Sequence, residues 1–286
     1  MSADEAAQLL GAVRIRQLAS ELNLRPTKQR GQNFVVDANT VRRIVQLANV
    51  DVDDVVLEVG PGLGSLTLGL LPRVQRVIAV EIDDVLAGAL PKTVSEQAPT
   101  LVDRLQIINA DALQVNSLDR EPTALVANLP YNVSVPVLLH LLATFDSITK
   151  VLVMVQSEVA DRLAAKPNTK EYGIPSVKAA WWAEVTGAGS VSRSIFWPAP
   201  NVDSKLVGFK RRATPGDERL RKEVFTIIDL AFAQRRKMLR AALSSRYGGS
   251  AAAEAHLSAA GIDPTLRGES LDIHGFCKIA QQGLES

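Results

Sequence analysis

The sequence predicts an α/β protein with a mostly parallel sheet covered on both faces, followed by a small all-helical domain. Short apolar strands alternate with helical stretches between residues 54 and 156, which is the rhythm of βαβ units. After Arg212 the turn-rich A-T-P-G-D-E reads as a linker, and beyond it only helical periodicity remains. A chain of 286 residues, 47% hydrophobic and 22% charged, carries enough apolar material for such a core.

Residues 11–24 show a weak helical period through Val13, Leu18 and Leu22, closed by Pro26. The polar T-K-Q-R-G-Q-N-F follows, then a helix from about Asp37 to Ala48, with Asp37 or Asn39 as its cap. D-V-V-L-E-V (54–59) is a buried strand running into G-P-G-L-G and a helix. R-V-I-A-V-E (76–81) is the second strand, with a helix from Asp83, and L-Q-I-I-N-A-D (105–111) is the third. A-L-V-A-N (124–128) is the fourth, leading to a helix from Ser134 to about Phe145; Pro136 falls in its first turn, where proline is tolerated. V-L-V-M-V-Q (151–156) is the fifth and feeds a helix from Ser157. Strands near 180–186 and 204–210 bring the sheet to seven, and helices are expected at 217–246, 251–260 and about 272–283. The chain thus divides into an N-terminal extension (1–24), an α/β domain (25–212) and a helical domain (213–286).

Composition excludes several classes. No apolar run reaches the roughly 18 residues of a membrane span, and the acidic N-terminus lacks a signal-peptide core, so a cytoplasmic protein with no membrane partner is expected. The single cysteine, Cys277, makes neither a disulfide nor a zinc cluster. His140, His256 and His274 are scattered without ligand spacing, so no metal is expected. The net charge of +1 hides a pattern. Residues 14–43 carry seven basic against two acidic residues, 51–130 carry five against twelve, and 205–246 carry twelve against four. Two basic segments flank an acidic one, which suits a protein that holds a polyanion beside a small-molecule site.

E-V-G-P-G-L-G (58–64) follows the first strand, where Gly60 and Gly62 allow a sharp turn and close approach of a ligand. Glu81 ends the second strand, placed to accept from both hydroxyls of a ribose, with Asp83 just beyond. Asp111 ends the third, placed to accept from an adenine amino group. Together these fit an adenosyl moiety without choosing between NAD and S-adenosylmethionine. The fourth strand end chooses. Asn128-Leu129-Pro130-Tyr131 suits methyl transfer to an exocyclic amino nitrogen of a base. The Asn128 oxygen and a carbonyl of Leu129 or Pro130 can accept its two N–H bonds. Pro130 stiffens the turn, and Tyr131 offers a face for stacking, worth about 1–3 kcal/mol.

These motifs resemble the bacterial small-subunit ribosomal RNA adenine N6,N6-dimethyltransferases. The resemblance runs from about Arg25 to Leu243 through K-Q-R-G-Q-N-F (28–34), E-V-G-P-G-L-G (58–64), V-E-I-D (80–83), N-A-D-A (109–112), N-L-P-Y-N (128–132), F-W-P-A-P-N-V-D-S (196–204) and F-A-Q-R-R-K-M-L-R (232–240). It implies a Rossmann-like class I methyltransferase domain with a helical C-terminal domain that binds RNA. It implies S-adenosylmethionine as cofactor and four methyl transfers, two to each of two adjacent adenosines in a hairpin loop near the 3′ end of 16S rRNA. The implied partner is that RNA, in the 30S subunit or its precursor, met by a monomer with a part in small-subunit biogenesis. By motif, Asn33 and Val35 would contact the cofactor with Gly60, Glu81, Asp111 and Asn128, and Gln32 would help close the site. Val35 stands where Leu or His is expected. Arg235, Arg236, Lys237 and Arg240, on a basic helix, would contact RNA phosphates. The rival readings are a 23S rRNA adenine dimethyltransferase, which shares most motifs, a non-catalytic 30S assembly factor, and an NAD oxidoreductase, for which Asn-Leu-Pro-Tyr has no use.

Overall fold

The computed structural model describes residues 6–24 and 32–285. In chain order the first elements are α1 (Ala12–Glu21), β1 (Phe34–Val35), α2 (Ala38–Ala48), β2 (Val55–Val59), α3 (Ser65–Leu70), β3 (Arg76–Glu81), α4 (Asp84–Gln97) and β4 (Leu105–Asn109). Next come β5 (Ala124–Asn128), α5 (Ser134–Thr144), β6 (Lys150–Gln156), α6 (Ser157–Ala164), α7 (Ile174–Ala179), β7 (Ala183–Val191), β8 (Phe196–Trp197) and β9 (Ser204–Arg211). The chain ends with α8 (Glu218–Ala233), α9 (Leu239–Ala242), α10 (Ser244–Tyr247), α11 (Ser250–Ala259) and α12 (Ile273–Glu285). Among the described residues no helix is long and apolar enough to cross a membrane.

Seven strands form one sheet in the order β4-β3-β2-β5-β6-β9-β7. Neighbours from β4 to β6 run parallel, and β9 runs antiparallel to β6. Every residue of β2 is buried, as the continuous V-V-L-E-V requires of a strand covered on both faces. The edge strand β4 is only half-buried. From β2 the chain steps outward to β3 and β4, then crosses back to β5 on the other side of β2. The strand order therefore reverses between β2 and β5, and a crevice opens at their carboxyl ends. Two helices of the α/β domain start on side-chain caps. The Asp37 carboxylate accepts from Asn39 and Thr40 N–H at the start of α2, and Asp83 accepts from Val85 and Leu86 N–H at the start of α4.

The chain separates into two compact units. One takes the residues up to Ala160 together with Thr186–Arg211; the other takes Asp161–Val185 and the residues from Arg212 onward. Residues placed by sequence in the N-terminal extension are part of the first unit's core. Leu10, Ile15, Leu18 and Ala19 are buried in the same cluster as Leu68, Leu90 and Val94, and Gln8 N–H donates to the Gln97 carbonyl at 2.8 Å. Residues 161–185, placed by sequence in the α/β domain, cluster instead with the C-terminal helices. The Tyr172 hydroxyl donates to the Leu271 carbonyl at 2.8 Å, Lys178 pairs with Asp229 at 2.7 Å, and Trp181 and Trp182 meet the Phe225 ring edge-on.

Two secondary-structure expectations change. The strand expected near 180–186 lies at Ala183–Val191, and Trp181 and Trp182, just before it, pack against Phe225. The single helix expected over 217–246 breaks at Gln234–Met238 into α8, α9 and α10. Leu220, Val224, Ile227, Ile228 and Ala231 bury one face of α8, and Q-R-R-K then offers nothing apolar to continue that face. Sequence periodicity also gives no sign of the two-residue pairing of β1 with β8, Phe34 opposite Trp197 and Val35 opposite Phe196.

Candidate active site

A cavity of about 660 Å³ opens at the strand-order reversal, a size suited to a cofactor. Gly60, Gly62 and Gly64 all have positive φ, so the loop after β2 turns tightly. A Cβ on Gly62 would sit 2.9 Å from Phe34 Cε1, and one on Gly60 would sit 3.5 Å from the Pro130 ring. The loop is therefore wedged between the 32–35 segment and the turn after β5.

Glu81 is buried at the end of β3 and holds the rim together. Its Oε2 accepts from Gly62 N–H at 3.1 Å and its Oε1 from Asp83 N–H at 3.0 Å. Burial pushes its carboxyl above the usual range, with those two backbone donors opposing. Asp111 lies two residues beyond the end of β4 and caps a single 3-10 turn, its Oδ1 accepting from Leu113 N–H at 2.9 Å. Ile82 and Val85, apolar yet exposed, line the same wall. Deeper in, Glu58 is fully buried and accepts from Thr67 Oγ1 at 2.7 Å; burial, with Glu81 nearby, pushes its carboxyl up to about 8.

The 32–35 segment crosses the cavity. Gln32 donates to Asp83 Oδ2 at 3.2 Å, and the Val35 carbonyl accepts from the buried Ser65 hydroxyl at 2.7 Å. Gln32, Asn33 and Val35 all line the cavity. The preceding K-Q-R-G lies outside the described residues, as do Arg25, Lys28 and Arg30 of the first basic segment.

Asn128 ends β5 opposite Met154 of β6. Its Nδ2 donates to the Asn33 carbonyl at 3.3 Å. A carbonyl can only accept, so this contact fixes which way the amide points. The other end of that amide, Oδ1, is buried and has no hydrogen-bond partner among the described residues. Pro130 lines the cavity; its carbonyl accepts from Val133 N–H at 3.3 Å. Leu129 is buried and donates its N–H to Met154, while no described residue donates to its carbonyl. Tyr131 does not line the cavity: it is half-buried, and its hydroxyl shares a 2.8 Å hydrogen bond with Ser204.

The sequence-selected residues of the first unit thus converge on one crevice rim, with Leu129 in the core behind it and Tyr131 beside it. Sequence reasoning alone assigns no role to Glu58, Thr67, Ile82, Ser204 or the Phe34–Trp197 stack (centroids 6.4 Å apart). The quoted motifs contain all of these but Thr67: Phe34 ends K-Q-R-G-Q-N-F, Glu58 begins E-V-G-P-G-L-G, Ile82 lies in V-E-I-D, and Trp197 and Ser204 lie in F-W-P-A-P-N-V-D-S. Among the described residues no group of His, Cys, Asp or Glu could hold a metal ion.

The four residues selected for RNA lie in the second unit. Arg235, Arg236 and Lys237 sit in the turn between α8 and α9, so the basic helix expected at 232–240 is a helix–turn–helix break. Arg235 donates to Glu269 at 2.7 Å and to the carbonyls of Thr169 and Lys170, and Arg240 pairs with Glu254 at 2.8 Å. Arg236 and Lys237 are exposed, with no carboxylate partner among the described residues.

A sheet of this order, reversing beside a glycine turn and an acid-lined cavity of cofactor size, defines a Rossmann-like class I methyltransferase, whose methyl donor is S-adenosylmethionine. The chain belongs, within that class, to the family described as ribosomal RNA adenine dimethylase, whose pattern matches residues 23–282. It is similar to the ribosomal RNA small subunit methyltransferase A of Streptomyces avermitilis, 62% identical over 98% of this chain and 96% of that one. The protein of the same description from Thermobifida fusca is 59% identical over 96% of each. Among solved structures, a dimethyladenosine transferase from Plasmodium falciparum shares the fold, with a TM-score of 0.73 at 22% identity over 86% of this chain and 97% of that one. The 23S rRNA methyltransferase ErmE gives a TM-score of 0.64 at 27% identity over 87% and 99%.

Proposed function

We propose that the chain transfers methyl groups to N6 of two adjacent adenosines in a hairpin loop near the 3′ end of 16S rRNA. The products are N6,N6-dimethyladenosines, the substrate is the 30S subunit or its precursor, and the enzyme is a cytoplasmic monomer acting in small-subunit biogenesis. The observation that carries this reading is the Asn128 amide: its nitrogen is held by the Asn33 carbonyl, and its buried oxygen is left without a donor. A buried acceptor without a partner costs about 1–3 kcal/mol, so its natural complement is an N–H brought by substrate.

The cavity residues fit the cofactor. Glu81 would accept from the ribose hydroxyls with the lone pairs its two backbone donors leave over, and Asp111 from the adenine amino group through the oxygen not held by Leu113. Asn33, Val35, Gly60 and Gly62 shape the cradle, and Ile82 and Val85 present apolar surface to a flat ring. When bound, S-adenosylmethionine supplies an electrophilic methyl group on its sulfonium.

The chain's own residues prepare the acceptor. An adenine amino nitrogen is a poor nucleophile because its lone pair is delocalised into the ring. Asn128 Oδ1 and the Leu129 carbonyl, the free one of the two backbone candidates, would take its two N–H bonds and favour a tetrahedral nitrogen. Pro130, packed on Gly60, keeps that turn from moving. Tyr131 supplies a face for the base once it is out of its stack. No strong base is needed, because a methylated ammonium of this kind is acidic. Orientation and preorganised dipoles supply the acceleration. In the second unit, exposed Arg236 and Lys237 are the cations best placed to neutralise RNA phosphates.

The test is to map the modified nucleotides after reaction with undermethylated 30S subunits, with free 23S rRNA in parallel. Methylation only of 23S rRNA would sink the proposal. The roughly 60% identity to small-subunit enzymes against 27% to ErmE favours the small subunit. Asn128→Ala should bind S-adenosylmethionine and lose transfer by about 10²–10³-fold, the range for a preorganised transition-state contact.

A further inference from the structure

The proposed site leaves one element of the F-W-P-A-P-N-V-D-S motif without a task, and that element reaches Tyr131. Ser204 is 0% exposed, and its hydroxyl lies 2.8 Å from the Tyr131 hydroxyl. Ser204 begins β9 opposite Gln156 of β6, and Met154 of β6 lies opposite Asn128. The residue that grips the Tyr131 hydroxyl and the residue proposed to grip the amino group therefore stand on the same carboxyl end of one sheet. The corner that holds Ser204 is itself tied down. The Asp203 carbonyl accepts from both the N–H and the hydroxyl of Ser157, and its carboxylate accepts from Arg193 N–H.

Tyr131, by contrast, lies in the turn between β5 and α5, outside any helix or strand. A ring that stacks a base must present its plane at a fixed angle, and a turn residue has the torsional freedom to lose it. A hydrogen bond at the far tip of the ring removes that freedom at the greatest lever arm. A phenol is a neutral hydroxyl partner for serine at neutral pH, and burial pushes this one further above its ordinary range.

We propose that Ser204 is a positioning residue for methyl transfer: through the Tyr131 hydroxyl it fixes the plane on which the target base stacks. This rests on the reading of Tyr131 as the stacking platform. Ser204 does not line the cavity, so its effect on transfer passes through Tyr131.

The experiment is a double-substitution cycle on the full chain, read by single-turnover methyl transfer to undermethylated 30S subunits. Titration of S-adenosylmethionine and thermal unfolding serve as controls. Ser204→Ala and Tyr131→Phe should each slow transfer by about three- to tenfold, the scale of one buried hydrogen bond. Cofactor affinity should stay within about twofold of the unsubstituted protein in both. The double substitution should be no slower than the slower single one, because either change removes the same bond. Ser204→Ala slowing transfer equally in the Tyr131→Phe background would overturn the inference, as would a Tyr131→Phe protein at full rate. The latter holds even where Ser204→Ala fails to fold, since Tyr131→Phe leaves Ser204 in place. An unsubstituted protein that methylates no adenosine overturns the functional reading and this inference together; an active one whose Ser204→Ala form runs at full rate overturns this inference alone.

Discussion

Glu58 shows at the scale of one residue how a site shapes stability. Its carboxyl sits in a strand with no solvent, satisfied by Thr67 and close to Glu81, and is pushed from its ordinary 4.5 up to about 8. Between those values the native protein keeps a proton that the unfolded chain has already released. Stability from this group is therefore fully present below pH 4.5, erodes as pH rises, and levels off above about pH 8. The loss across that window is on the order of a few kcal/mol. Glu58→Gln removes the titration and keeps an oxygen for the Thr67 hydroxyl. In urea unfolding, the unsubstituted protein should lose clearly more stability between pH 5.5 and 7.5 than Glu58→Gln does. Glu81, also raised by burial, leaves a residual slope in the variant. Equal slopes for the two proteins would show that Glu58 is ionised in the native state. None of this is legible in V-V-L-E-V, where a glutamate in a covered strand reads only as an exception to the apolar run.

At the scale of elements, one arginine holds the end of α5 against the sheet. Arg211, the last residue of β9, donates to the carbonyls of Leu142, Phe145 and Ile148 and to Asp146 Oδ1. These carbonyls lie at and just beyond the carboxyl end of α5, where helices leave acceptors unpaired and cations are favourable. Arg211→Ala strands them and should lower stability by about 2–3 kcal/mol. Asp146→Ala should cost under about 0.5 kcal/mol, because its side chain is 92% exposed and the pair is screened. Arg211→Lys should recover little, since an ammonium cannot span several carbonyls as a planar fork does. Thermal unfolding of the three variants decides this, and a loss on Asp146→Ala as large as on Arg211→Ala would mean the ion pair, not the helix end, is what matters. Such contacts join residues more than sixty apart in sequence, and hydrophobic periodicity carries no trace of them.

Over the whole molecule, legibility followed the distance over which a signal acts. The β2–β6 strands and the rim residues Gly60, Glu81, Asp111 and Asn128 were readable because each sits where a local apolar run stops. The partition of residues 161–185 was not, because Tyr172, Lys178 and Trp181 find their partners some forty to a hundred residues onward. The basic stretch 232–240 fell between these cases. Its charge was plain, but what each cation faces depends on Glu269, Glu254 and the 169–170 carbonyls. That difference divides four similar cations into two kinds. Arg236 and Lys237 are free to exchange counterions for phosphates, so removing either should weaken RNA binding and flatten the dependence of log affinity on log salt by about 0.7–0.9. Arg235 and Arg240 are already engaged by protein carboxylates, and a bound phosphate would have to displace them. Arg235→Ala should lower thermal stability, since Glu269 and two carbonyls lose their donor, while leaving the salt slope nearly unchanged. The measurement is equilibrium binding of a 16S rRNA hairpin fragment at several salt concentrations beside thermal unfolding of each variant. A slope reduced by Arg235→Ala as much as by Lys237→Ala would show that its contact with Glu269 opens when RNA binds.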